Sequence, residues 1–164
     1  MDGEKISTTA LISALGAGKL EMAQAIMGRP YSFSGTVAEG FREGRRLGFP
    51  TANLYPAPGQ AIIGSGVFAT IAVIDGKSWP GMTNVGVHPT VNKLSSPAIE
   101  TNIIGFDKDI YGKNMKVVFL KRLRDELRFS KLDDMVSQIY KDKENALAEC
   151  KRWLSEYPLP FWQK

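Results

Sequence analysis

The 164-residue chain holds a single cysteine, Cys150, and a single histidine, His88. One cysteine excludes an intrachain disulfide and a cysteine-rich zinc site. His88 has no Cys or second His nearby to share a metal, so it reads as a loop or core residue rather than a ligand. No partnering nucleophile marks it as part of a Ser-His-Asp triad either. No apolar run approaches the roughly 18 residues needed to span a bilayer. The opening Met1-Asp2-Gly3-Glu4-Lys5 is acidic and lacks an apolar stretch, so no signal peptide is expected. The common phosphate-binding signatures are missing as well. Gly16-Ala17-Gly18-Lys19-Leu20 has Leu where a phosphate loop needs Ser or Thr, and no glycine lies five residues before Gly18. Gly64-Ser65-Gly66 has no third glycine in register and opens no helix. Charge of one sign is scarce too. Lys+Arg total 21 and Asp+Glu 17, a net +4. That excess suits a phosphorylated ligand but is too small to announce a nucleic-acid binder. The expectation is a soluble, cytoplasmic protein with no nucleic-acid or membrane partner, acting as a monomer.

What is present is an ordinary globular composition, 43% hydrophobic and 23% charged, at the length of one domain. Leu11, Leu15, Leu20, Ala23, Ile26 and Met27 recur at helical spacing, with Ser7 or Thr8 as N-cap. Gly16 and Gly18 should split this stretch into two short helices, and Gly28-Arg29-Pro30 should end it. The middle of the chain is rich in Val, Ile, Thr, Phe and Gly in short runs. Strands are expected at Tyr31–Glu39, Val67–Ile74, Ser78–Val87, Ile99–Phe106 and Met115–Leu123. Asp75-Gly76 marks a hairpin turn between two of them. No amphipathic helix alternates with these strands, so the fold class is mainly β, an antiparallel barrel. A long amphipathic helix follows from Lys131 to about Leu154. Its apolar stripe is Leu132, Met135, Val136, Ile139, Tyr140, Ala146, Leu147, Cys150 and Trp153. The expected organisation is a helical extension over 1–27, a domain over 28–157 and a tail over 158–164.

Two adjoining motifs carry chemistry. Gly40-Phe41-Arg42-Glu43-Gly44-Arg45-Arg46 puts two glycines and three arginines in seven residues. Such a loop can turn its backbone N–H groups toward a polyphosphate, or be a solvated basic turn. Leu47-Gly48-Phe49-Pro50-Thr51-Ala52-Asn53-Leu54 follows at once. Pro50 fixes its own φ and biases Phe49 toward an extended form. If Thr51 to Asn53 is extended, the Thr51 hydroxyl and the Asn53 amide share one face. That pair could hold a magnesium ion already carried by a nucleotide, or merely make local turn hydrogen bonds.

Together these motifs resemble the riboflavin kinase family, whose hallmark is a Pro-Thr-Ala-Asn segment. Asn84-Val85-Gly86-Val87-His88-Pro89-Thr90 is similar to the family's Asn-Ile-Gly-x-x-Pro-Thr. Ile99-Glu100-Thr101-Asn102 takes the place of its Glu-Thr-His segment. Phe106 through Tyr111-Gly112-Lys113 resembles its Asp-Phe-x-x-x-Leu-Tyr-Gly pattern, and Leu123-Arg124-Asp125-Glu126-Leu127-Arg128-Phe129 its Leu-Arg-x-Glu-x-x-Phe. The resemblance runs from about Gly28 to Ala148. Residues 6–31 are similar to the junction that leads into the kinase module of bacterial bifunctional FAD synthetases. No other adenylyltransferase motif is present, so FAD synthesis is not expected of this chain. Three departures stand out: His88 where arginine is usual, Asn102 where histidine is usual, and Arg45 where some relatives have lysine.

The resemblance implies a closed Greek-key β-barrel that moves the γ-phosphoryl of ATP to the 5′-hydroxyl of riboflavin, giving FMN and ADP. It implies Glu100 as general base. Gly40, Gly44, Arg45, Pro50 and Thr51 would bind the nucleotide. Thr51 and Asn53 would hold magnesium, with zinc or manganese as alternatives. Arg124, Glu126, Arg128 and Phe129 would close over the flavin. From the residues alone, Glu100 reads equally as a glutamate on a solvated strand face, and the arginines as a basic stretch feeding a helix. Two other function classes compete. One is an inactive flavin- or nucleotide-binding barrel, which would be expected to lose either Glu100 or the Thr51/Asn53 pair. The other is an oligonucleotide-binding barrel, which needs exposed aromatics interleaved with Lys and Arg along its strands. Here the arginines cluster in two loops.

Overall fold

The computed structural model describes residues 2–39, 48–89 and 95–156. Two helices come first, α1 (Asp2–Gly16) and α2 (Leu20–Met27). They break at Gly16–Gly18, as the glycines predict. α1 starts six residues earlier than an N-cap at Ser7 would allow, so Ser7 and Thr8 lie inside it. α2 stops at Gly28, whose φ of 69° and N–H bond to the Gln24 carbonyl form a left-handed cap. Leu15, Leu20 and Ala23 are buried in the same core cluster as the strands.

Six strands follow: β1 (Ser32–Thr36), β2 (Ala52–Leu54), β3 (Gly66–Ile74), β4 (Lys77–Pro89), β5 (Ser95–Ile103) and β6 (Asn114–Arg124). They form one antiparallel sheet in the order β1-β6-β3-β4-β5-β2. β3, β4 and β5 form a meander and β6 returns beside β3, which is the Greek-key arrangement. Asp75 (φ 50°) and Gly76 (φ 75°) make the two-residue turn between β3 and β4. Left-handed φ at both positions matches the twist of a tight hairpin. The ring closes only nearly. The chain just past β1 meets β2 at one bridge, Ala38 N–H to the Asn53 carbonyl at 2.9 Å, rather than along a ladder. β2 is only three residues long, bounded by Pro50 and Pro56, which have no N–H to donate.

The barrel interior is filled by Leu54, Ile63, Phe68, Ile99, Val117 and Phe119, all fully buried. Each such side chain contributes about 1.5–3 kcal/mol by leaving water. Phe68 and Phe119 meet edge to face with ring centroids 5.2 Å apart. A polar thread crosses this interior: the Thr70, Thr83 and Thr101 hydroxyls link at 2.8 Å and 2.8 Å, each fully buried.

The long helix, α3 (Leu132–Glu156), packs on the outer face of β3, β4 and β6. Its buried residues are Asp142, Ala146 and Cys150, spaced by four. The helix exists where expected, and most of its expected stripe faces the sheet: Ala146 and Cys150 are buried, and Met135, Val136, Ile139, Leu147 and Trp153 are half-buried. Leu132 and Tyr140 are exposed, and the buried face contains an acid. No helix is long and apolar enough to cross a membrane among the described residues.

Candidate active site

The register of β2 sets the site. Ala52 lies opposite Thr101, Asn53 opposite Glu100, and Leu54 opposite Ile99. Strand alternation sends Ala52 and Leu54 into the core and turns Thr51 and Asn53 to the other face, where Glu100 stands. On its far side Glu100 is opposite Asn84 of β4. Asn53, Glu100 and Asn84 therefore form a row across three strands. Directly opposed side chains in such a ladder lie about 4.5–5.5 Å apart at Cβ.

Asn53 is 3% exposed, and its Oδ1 has no hydrogen-bond partner among the described residues. Its Nδ2 reaches the Thr51 carbonyl at the long distance of 3.5 Å. A buried amide oxygen without a donor is costly and asks for a ligand. With the Thr51 hydroxyl on the same face, the donor set is neutral oxygen, which suits magnesium or manganese better than zinc. Among the described residues no three His, Cys, Asp or Glu groups gather to hold a metal. The pair therefore fits a cation that brings its other ligands with it, as a nucleotide-bound ion does.

The segment before β2 is anchored from β5. Asn102, 6% exposed, donates from Nδ2 to the Pro50 carbonyl at 2.8 Å. Beyond Pro50, Phe49 is buried and packs edge-on against Tyr140 of α3, centroids 5.0 Å apart.

A pocket of about 310 Å³ opens beside β2. Pro50, Thr51, Ala52 and Asn53 form one wall. Val37, Thr101, Ile103 and the 106–111 loop line the rest of it. The loop is held by Gly112 N–H to the Val37 carbonyl at 2.9 Å and Tyr111 N–H to Asp109 Oδ1 at 3.0 Å. Phe106 is braced by Trp79 at 5.1 Å between centroids. The sequence pattern singles out the 106–113 stretch without giving it a role. Its place in the pocket depends on β1 and β6 bringing Val37 onto Gly112 and Lys113, which no local signal encodes.

Tyr55 stands two residues beyond Asn53 on the same face. Its phenol is shifted up, first by burial and second by the negative charge of Glu100. This neighbour of Glu100 was not anticipated from the sequence.

Of the flavin-assigned residues, Arg124 ends β6 and Glu126, Arg128 and Phe129 follow it; none lines the pocket. Arg124 is opposite Val67, which is opposite Asn84, so it continues the row toward α3. Its Nε and Nη2 grip both oxygens of Asp142 at 2.6 to 3.0 Å, and its Nη1 donates to the Asp125 carbonyl at 2.9 Å. One N–H on each terminal nitrogen is left for another partner. The Glu126 carboxylate lies over Gly86, in the space a Cβ there would take. Arg128 is exposed and Phe129 half-buried. Gly40, Gly44 and Arg45 lie outside the described residues.

The family model for flavokinase (riboflavin kinase) matches residues 27–150. A bifunctional riboflavin kinase/FMN adenylyltransferase from Bacillus subtilis is 35% identical over 88% of this chain and 46% of its own length. The protein of the same description from Pseudomonas fluorescens is 36% identical over 90% and 47%, and that from Escherichia coli K12 37% over 88% and 46%. The chain thus spans about half the length of the curated relatives it matches. Among solved structures, a macrolide-efflux protein from Streptococcus pneumoniae superposes with a TM-score of 0.76 at 32% identity, over 83% of this chain and 44% of that one. A riboflavin kinase from Trypanosoma brucei shares the fold, with a TM-score of 0.51 at 22% identity over 77% and 80%. On the family model and these relatives, the chain belongs to the riboflavin kinase family.

Proposed function

We propose that this chain is a riboflavin kinase, transferring the γ-phosphoryl of MgATP to the 5′-hydroxyl of riboflavin to give FMN and ADP. One observation carries the reading: the unpartnered amide oxygen of Asn53 stands in register beside Glu100. A cation-holding oxygen and a carboxylate base would thereby stand on neighbouring strands, as a phosphoryl transfer to an alcohol needs.

Phosphoryl transfer is catalysed mainly by positioning and by neutralising charge on the moving group. Thr51 and Asn53 would hold the nucleotide's magnesium, which would supply positive charge to the phosphates. Being neutral, these two ligands leave that charge undiminished. Asn102 fixes the Pro50 carbonyl and so keeps Thr51 in place. The pocket beside Thr51 and the 106–111 loop is of a size for the nucleotide's base and sugar, and Gly40, Gly44 and Arg45 are assigned to nucleotide binding from the sequence pattern. Glu100 accepts the proton of the attacking hydroxyl. Arg124, Glu126, Arg128 and Phe129 sit on the side away from β2, where the flavin would enter. A cytoplasmic monomer using only these small molecules completes the reading.

The test is turnover of purified chain with riboflavin and MgATP, the flavins separated by chromatography, beside Glu100→Gln and Thr51→Ala. FMN formed by the parent and lowered at least about a hundredfold in Glu100→Gln supports the kinase and its base. Equal rates in both remove Glu100 from the role. Binding of riboflavin and ADP without turnover would leave an inactive flavin-binding barrel.

A further inference from the structure

The row on the outer face has a second orphaned oxygen. Asn84 Oδ1 is buried and, like Asn53 Oδ1, has no hydrogen-bond partner among the described residues. The two amides flank Glu100 from opposite sides. Asn53 is on the β2 side, next to Thr51 and the nucleotide pocket. Asn84 is on the β4 side, away from it.

That asymmetry decides what Asn84 meets. If the phosphoryl group approaches from β2 and the attacking hydroxyl sits at Glu100, the rest of the alcohol must run over β4. Two residues on from Asn84, on the same face, is Gly86, which has no side chain. The carboxylate of Glu126 lies in the space a side chain would occupy, walling the far end. A carbonyl oxygen in such a place needs an O–H or N–H donor from the ligand. A polyol chain offers an O–H at every carbon. Conversely, an alcohol without further hydroxyls would leave this oxygen bare.

We propose that Asn84 is a specificity-determining residue that accepts a hydrogen bond from an inner hydroxyl of the ribityl chain, thereby aligning the terminal hydroxyl with Glu100. This rests on the riboflavin kinase reading.

The experiment is fluorescence titration of the whole chain, with MgADP present, using riboflavin and lumiflavin. Lumiflavin carries the same ring system with a methyl group in place of the ribityl chain. The parent should prefer riboflavin. Asn84→Leu, which keeps the shape and removes the acceptor, should weaken riboflavin about tenfold while lumiflavin stays within about twofold. Asn84→Ala is the second variant, in case Leu disturbs packing, and lumiflavin binding reports that its site is intact. In turnover, KM for riboflavin should rise with KM for MgATP unchanged. Equal weakening of both flavins in both variants, or no weakening in either, overturns the assignment. So does a parent that binds the two flavins equally. A parent that binds neither overturns the kinase reading itself, and the assignment with it.

Discussion

Arg124 at the end of β6 and Asp142 in the middle of α3 meet at 2.6 Å, with the acid 3% and the guanidinium 20% exposed. Gln138 adds a third donor to Asp142 at 3.0 Å. This clamp joins the long helix to the strand that leads into the 125–129 segment. Removing the acid would leave a mostly buried guanidinium without its counter-charge. Breaking a buried pair costs about 3–5 kcal/mol, and the partial exposure of Arg124 favours the lower end. Asp142→Asn should therefore lower unfolding stability by about 3 kcal/mol in urea denaturation. A loss near zero would show that the pair adds nothing to holding α3.

Much of this arrangement was legible in advance, and the reasons for the rest are physical. The hairpin at Asp75-Gly76 and the cap at Gly28 are local: each depends on a backbone conformation that its own residues favour. The Glu100 and Asn53 positions were legible as motifs. Their juxtaposition was not, because it comes from the register of two strands far apart in sequence. Asp142 shows the limit most clearly. A stripe drawn from apolar residues alone places Tyr140 inward, yet the helix turns an acid inward to meet an arginine on β6. Hydrophobic periodicity cannot see a charge whose burial is offset by a partner 18 residues away.

Asn102 offers a test of how firmly the segment before β2 must be held. Its amide donates to the Pro50 carbonyl and so ties β5 to that segment. Asn102→Ala should loosen Thr51 and raise KM for MgATP by about tenfold, with riboflavin affinity little changed. Asn102→His, restoring the residue usual in the family, should recover most of the loss if its ring donates to the same carbonyl. Steady-state kinetics with each substrate varied in turn would decide. A rise in KM for both substrates alike would point to a general disruption instead.

The threonine thread can be cut at its centre. Thr83 bonds both Thr70 and Thr101, and all three are fully buried. Thr83→Val keeps the shape but strands two hydroxyls. Leaving a buried polar group unsatisfied costs about 1–3 kcal/mol, so a loss of about 2 kcal/mol is expected from thermal or urea unfolding. The triple variant Thr70→Val, Thr83→Val, Thr101→Val should recover part of it, since no hydroxyl is then left unpaired. A triple variant less stable than the single one would contradict this account.

Tyr55 reports on the charge of Glu100. Burial and that carboxylate both hold the phenol in its neutral form, so its pKa lies above the ordinary value of 10.0. Glu100→Gln removes the charge and leaves the burial. The Tyr55 pKa should fall toward, but not below, the ordinary value. Carbon-13 NMR titration of ring-labelled tyrosine, with Tyr55→Phe to assign the signal, measures it directly. An unmoved pKa would mean the two groups do not sense each other, and Glu100 would then be aimed elsewhere.

Cys150 should be chemically silent in the folded protein. It is 1% exposed, and its Sγ donates to the Thr70 carbonyl at 3.1 Å. Burial pushes the thiol from 9.0 up to about 11. Only the thiolate reacts with disulfide reagents, and at pH 8 the folded chain holds almost none. Labelling by an aromatic disulfide at pH 8 should therefore be slow in buffer and complete within minutes in denaturant. The same shift fixes a stability trend. Below about pH 9 the thiol is neutral in both states and its effect on stability is constant. Between about 9 and about 11 the unfolded chain loses its proton while the folded one keeps it, so stability falls as pH rises. Cys150→Ala should remove that part of the alkaline slope. Rapid labelling of the native protein at pH 8 would instead mean that α3 opens readily from the barrel, and its rate would measure how often.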